Sequence, residues 1–231
     1  EKLSAGDKTA AESIEAKRHA VLAEAVKLAR KIAETYRDLR VPDIRIGPDA
    51  DNSVRDTEDT PLMLAGVWAQ QKFIPRIVRD HGRKCCAAFD DKAGDMLQQA
   101  IASNDSEAML EVANRWPNSL WAAQAMYEAG TSLYVRTRDS GAEDDYPAMS
   151  KAAWWMARAA ATDDPMLAVA SLAGRATIHH SMGMTTYAKS ICRDVRKLCL
   201  AKGITLSEKI EFAGTESSIV ELLRKFEGSN P

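Results

Sequence analysis

Between Asp7 and Arg40 the chain contains neither glycine nor proline, and its apolar residues recur at alternating steps of three and four. They are Ile14, Val21, Leu22, Ala25, Leu28, Ala29, Ile32, Tyr36 and Leu39. An α-helix completes a turn in about 3.6 residues, so this spacing gathers them into one stripe. Glu24, Lys27, Lys31, Glu34 and Asp38 take the opposite side. The pattern predicts one long helix over residues 7–40. Its alanine-rich stripe suits close packing, either on the rest of the chain or on a second copy of itself.

The same economy of breakers runs through the rest of the chain. Only 12 glycines and 8 prolines punctuate 231 residues, and helix formers dominate between them. Ala, Leu, Glu, Lys, Gln and Met lose little rotamer freedom in a helix. The fold class is therefore all-α. Apolar residues make up 45% and charged residues 28%, which suits an ordinary globular core. No apolar run is long enough to span a bilayer. The chain opens on Glu1 rather than Met, which reads as a processed form or a piece of something longer. Net charge is −2, whereas a general nucleic-acid binder carries a basic excess to neutralise phosphates. This demotes nucleic acid as a partner and leaves a local basic stripe, Arg37, Arg40, Arg76, Arg79, Arg83 and Lys84, as its only foothold.

Punctuation divides the chain. Val41-Pro42 ends the first helix, because a residue before proline is pushed out of the α region. A polar, turn-rich run then extends to Thr60. The division predicted is residues 1–60, a long helix plus an extended loop, and residues 61–231, a helical array. In the second part Pro75 kinks or splits the first helix. Asn104-Asp105-Ser106, Trp116-Pro117-Asn118-Ser119 and Asp163-Asp164-Pro165 each stop one helix and cap the next. Gly203 terminates the helix that begins near Thr185. A last short helix is expected over residues 217–226.

Helices joined by short turns must lie antiparallel to their neighbours. From Asn104 to Gly130 the sequence places an aromatic-Pro-Asn-Ser junction between two helices, then small residues at Ala122, Ala125 and Gly130. Downstream, Leu172, Ala176, His179, Gly183, Ala188, Cys192 and Val195 follow a comparable spacing. Both stretches resemble divergent tetratricopeptide (TPR) repeats, especially those of bacterial envelope assembly lipoproteins. Arg175 departs where the pattern has Leu, and an inserted loop breaks the code in the middle. The resemblance covers roughly residues 91–201 and leaves residues 1–90 unmatched. It implies a short α-solenoid that binds protein partners, or another part of a longer chain, and carries no chemistry. It also makes the bacterial cell envelope a candidate location.

Candidate interface residues are Trp154, Trp155, Tyr134, Arg193 and Arg196. Two adjacent tryptophans on one helix cannot both face one core stripe, so one of them is expected either at a surface, where Trp is a frequent anchor, or between layers. No cofactor and no metal site is expected. His179-His180 with Cys192 and Cys199 is the best metal alternative, yet the spacing matches no zinc pattern. Cys192 and Cys199 lie two turns apart, about 10 Å along a helix, too far for a disulfide. Cys85-Cys86 follows Arg83-Lys84, whose charges favour thiolate, but small buried hydrophobes are the simpler reading of all four cysteines. Asp49, Asp51 and Ser53 open like a calcium loop, and Val54 then stands where Gly is required. No phosphate loop, nucleophile elbow or His-Glu-x-x-His motif is present.

Overall fold

The computed structural model describes residues 5–42, 62–141 and 145–227. Helix dominates them, and the fold is all-α with two short β-hairpins. Among the described residues no helix is long and apolar enough to cross a membrane. The candidate calcium residues Asp49, Asp51 and Ser53, and the acidic residues 143 and 144, lie outside the described residues.

Two compact units divide at Phe89/Asp90, so residues 62–89 group with the N-terminal helix. In the first unit, α1 runs Ala5–Thr35. It stops short of residue 40 because Arg40–Pro42 (β1) pairs antiparallel with Leu62–Leu64 (β2). The buried face of α1 is Val26, Ala29 and Ala33 with Leu22, Ala25 and Ile32 beside them. They pack on Ala69, Ile74, Ile77, Cys85 and Cys86. Only part of the expected stripe is covered. Ile14, Val21, Leu28, Tyr36 and Leu39 are all more than half exposed.

Residues 65–81 form a helix in three pieces: α2 (Ala65–Trp68), a π turn (Ala69–Phe73) and α3 (Ile74–His81). The backbone N–H of Ile74 reaches the carbonyl of Ala69, five residues back. Pro75, in the first turn of α3, explains the widening. A proline ring clashes with the carbonyl four residues earlier, and an extra residue in the turn moves that carbonyl aside. A 3₁₀ turn at Arg83–Cys86 precedes α4 (Ala87–Ala102).

The second unit continues with α5 (Ser106–Arg115), α6 (Ala122–Asp139), α7 (Tyr146–Ala159), α8 (Pro165–Ser181) and α9 (Thr185–Lys202). Each of these helices packs on the next, and α6 also touches α8. Asp105 accepts from the N–H of Glu107 and Ala108 at 3.0 Å each, and Asp164 accepts from Met166 and Leu167 at 2.9 and 3.1 Å. Gly203 is left-handed, with φ of 67°, as a C′ glycine should be. One expected cap is absent. The Ser119 hydroxyl is buried without a partner, and the N–H of Leu120 instead donates to Asp90 of α4 at 3.0 Å. Helix α6 therefore starts at Ala122 rather than Leu120.

Small residues sit where helices cross. Ala122, Ala125, Ala176, Ala188, Cys192 and Val195 are buried. A Cβ on Gly130 would stand 2.9 Å from Met156 Cε and 3.2 Å from the Ala152 carbonyl of α7. After α9 the chain forms a second hairpin that the helical pattern gave no sign of. Lys209–Phe212 (β3) pairs antiparallel with Thr215–Ser218 (β4), and α10 (Ile219–Glu227) follows. Ser218 and Glu221 cap α10 reciprocally: the Ser218 N–H donates to the Glu221 carboxylate at 2.9 Å, and the Glu221 N–H to the Ser218 hydroxyl at 3.3 Å. Ile210, Ile219, Leu222, Leu223 and Phe226 complete one core with α8 and α9.

Candidate binding surfaces

Helix α7 is opened by Asp145, which accepts from the N–H of Ala148 at 3.1 Å, with Pro147 in the first turn. Met149, Ala152, Ala153, Trp155, Met156 and Ala159 form its buried face. Neighbouring residues on a helix point about 100° apart, and the two tryptophans divide accordingly. Trp155 is 2% exposed and Trp154 is 55% exposed. The Arg158 guanidinium lies 4.9 Å from the Trp154 ring centre. Lys151 stands over the Trp155 ring at 4.8 Å and pairs with Glu107 of α5 at 3.0 Å. The outer face of α7 thus presents one exposed indole with one guanidinium, Arg158, against it, residue types that dominate binding hot spots.

Tyr134 is buried, with 6% exposure. Its ring stacks on Phe212 at 5.3 Å between centroids, and its hydroxyl meets that of Ser181 at 3.0 Å. Tyr134, Phe212, Leu222 and Phe226 form the floor of a cleft of about 260 Å³. Arg138 and Lys225 bring positive charge to its walls, and Thr177 and Ser217 bring hydroxyls. Glu221 also lines it, and the Ser218 hydroxyl and N–H hold that carboxyl below its usual range, so it stays anionic and offsets part of that charge. An aromatic lining with charges of both signs is suited to an aromatic side chain.

The sequence named Tyr134 but missed the partners that make the cleft. Phe212, Thr215 and Ser217 come from the hairpin, whose turn is Ala213-Gly214 with φ of 54° and 74°. Hairpin turns of this hand favour Asn-Gly or Asp-Gly, so the alanine concealed the signal. The alternation of Ile210 and Phe212 around exposed Lys209 and Glu211 was the available clue.

Arg193 and Arg196 lie on the exposed side of α9, opposite Ile191, Cys192, Val195 and Cys199, and neither lines the cleft. Of the five residues singled out from sequence, Trp154 on α7 and Arg193 and Arg196 on α9 are exposed, whereas Trp155 and Tyr134 are buried.

Two further polar groupings flank the cleft helices. The buried Tyr127 hydroxyl donates to the carbonyl of Glu211, and burial pushes its pKa well up. Glu128 is also raised, by burial first and by the nearby Glu211 carboxylate, while a 2.5 Å bond from Gln124 works against the shift. On the α8–α9 side, Arg175 donates to the Tyr187 hydroxyl at 2.5 Å and His179 meets the Tyr187 ring edge-on at 4.6 Å. Burial, reinforced by the Arg175 charge, lowers the His179 pKa to about 4.

The metal alternative is not assembled. His180 rests on Phe226 at 5.0 Å, and Cys192 and Cys199 are in the core. Among the described residues no group of three or more His, Cys, Asp or Glu side chains is placed to hold a metal ion. The Sγ atoms of Cys85 and Cys86 are buried 3.9 Å apart. In the basic stripe, Arg76 and Arg79 both engage Asp80, at 3.2 and 2.9 Å, which offsets part of its charge. No family model, curated protein or solved structure matches this chain.

Proposed function

We propose that this chain is a non-catalytic helical-repeat scaffold, a TPR-like array of antiparallel hairpins that binds another protein or another part of a longer chain. The observation that carries this reading is Trp154. It is more than half exposed beside a fully packed Trp155, and Arg158 lies against its ring. An exposed indole offers more apolar contact area than any other side chain at little entropic cost. Phe212 packs where α6 and α8 present Tyr127, Tyr134 and Gly174, whereas Trp154 on the outer face of α7 is open to solvent. A matching partner segment carries an apolar or aromatic side chain for the indole and a carboxylate for Arg158.

A photo-crosslinking residue placed at position 154 tests this in cells, with position 163, on an exposed turn, as the control. The expected result is a discrete heavier adduct from position 154 alone, reproducibly containing one other protein. Equal labelling from both positions, or no adduct from 154, overturns the reading.

A further inference from the structure

We propose that α1 is a self-association surface, and that two copies of the chain pair antiparallel through Ile14, Val21 and Leu28. These three residues are 67%, 69% and 54% exposed, the most exposed large apolar side chains of the helix body. They stand seven residues apart. Seven residues advance a helix by about 700°, two turns less about 20°, so they form one straight seam. The seam borders the face of Val26, Ala29 and Ala33 that packs on the chain's own core, and it is left over after that face is covered.

A second observation points to a missing neighbour. From Glu12 to Arg18 every residue of α1 is exposed, and His19, which follows, is partly covered. Arg18, at the end of the stretch nearest the packed face, meets His81 of α3 at 2.8 Å. Isolated helices shorter than about 12–15 residues are marginal in water, so a helix extended this far needs something to lie against.

Charge decides both the occupant and its direction. On the side of the seam away from the packed face, the residues are Lys17, Glu24 and Lys31, also seven apart and alternating in sign. An antiparallel pair with Val21 on the two-fold axis sets Ile14 against Leu28 of the partner copy and Val21 against its own copy. The same register brings Lys17 within one residue of Glu24 of the partner copy, twice by symmetry, where it would join the 3.3 Å pair that Glu24 makes with Lys27 of its own helix. A parallel pair would instead direct these charges at Leu22 and Ala29, which are apolar. Centring the two-fold axis on Leu28 would leave Ile14 uncovered. Only the register centred on Val21 covers all three apolar residues and matches the charges.

Sedimentation across the micromolar range, combined with cysteine cross-linking of the full chain, tests the proposal. The chain's own cysteines are buried and do not interfere. The expected mass is twice that of the chain at high concentration, falling to one copy for Val21→Glu with its helical circular dichroism unchanged. Under mild oxidation Val21→Cys should form a covalent dimer. Ile14→Cys should not link to itself, but should link to Leu28→Cys when the two variants are mixed. Self-linking of Ile14→Cys would overturn the antiparallel register. A single-copy mass at every concentration, or a dimer that survives Val21→Glu, would overturn the surface itself.

Discussion

Phe212 stacks on Tyr134 with ring centroids 5.3 Å apart and an interplanar angle of 26°. Its ring also lies where a Cβ on Gly174 would be, 2.7 Å away. A hairpin residue is thereby fixed between two helices, and the cleft wall depends on it.

Gly174→Ala should therefore destabilise the fold although alanine is the better helix former. The propensity gain is about 1 kcal/mol, and overpacking against a buried ring costs about 1–3 kcal/mol. Gly94→Ala is the control. Its Cβ would meet Trp121 at 2.8 Å, but Trp121 is 36% exposed and can swing outward. Urea denaturation should place Gly94→Ala near or above wild type and Gly174→Ala below it. Equal effects at both sites would contradict the packing described.

The two tryptophans of α7 should separate stability from surface. Trp155→Ala removes a fully packed indole and should cost about 3–5 kcal/mol. Trp154→Ala should lie within about 0.5 kcal/mol of wild type, as exposed substitutions do. Thermal melts of the two variants check this. A large loss from Trp154→Ala would mean that its ring supports the fold.

Helix capping offers a similar contrast. Asp164 accepts two N–H groups at the start of α8, so Asp164→Ala should lose about 1 kcal/mol. The Ser119 side chain holds no N–H and its hydroxyl is buried without a partner, so Ser119→Ala should be neutral or slightly stabilising. Chemical denaturation of both variants decides the matter, and a cost at Ser119 comparable to that at Asp164 would restore it as a cap.

His179 should make the protein acid-sensitive. Its folded pKa is about 4, lowered by burial and by Arg175. The unfolded chain then binds the proton first as pH falls, so stability declines from about pH 6.5 and levels off near pH 4. Because the imidazole is partly open to solvent, screening limits the loss to roughly 1 kcal/mol. The melting-temperature gap between wild type and His179→Gln should shift across that window and stay constant above it. A constant gap down to pH 4 would refute the assignment.

The thiols give a direct check of the core. All four cysteines are buried, so a thiol reagent should react slowly with native protein and with all four after unfolding. Rapid native labelling of Cys85 or Cys86 would place that pair at the surface.

What the sequence made legible follows from how local each signal is. Asp105, Asp164 and Gly203 act on residues beside them, and their roles were readable as spacing. Periodicity marked a face on α1 without saying what would cover it, so Ile14 stood in the expected stripe although it is exposed, and Val26 was left out of it although it is fully buried. The Trp154–Trp155 pair required one exposed ring, but only the neighbouring helices select which. The cleft was hidden because Tyr134 and Phe212 are brought together by tertiary contact alone. The β1–β2 pairing was hidden for the same reason, since Val41 and Met63 are partners across a long connection.

The π turn at Ala69–Phe73 couples two features that look independent in the sequence. It amounts to a helix carrying one residue more than regular winding needs, and Pro75 is what uses the slack. Removing one residue from the turn would restore regular winding and keep Ile74 and Ile77 on the core, but would return the proline ring to its clash. Replacing Pro75 alone would leave the surplus residue without a purpose. The deletion is tolerable only without the proline, so a one-residue shortening of this segment should be accompanied by the loss of the proline.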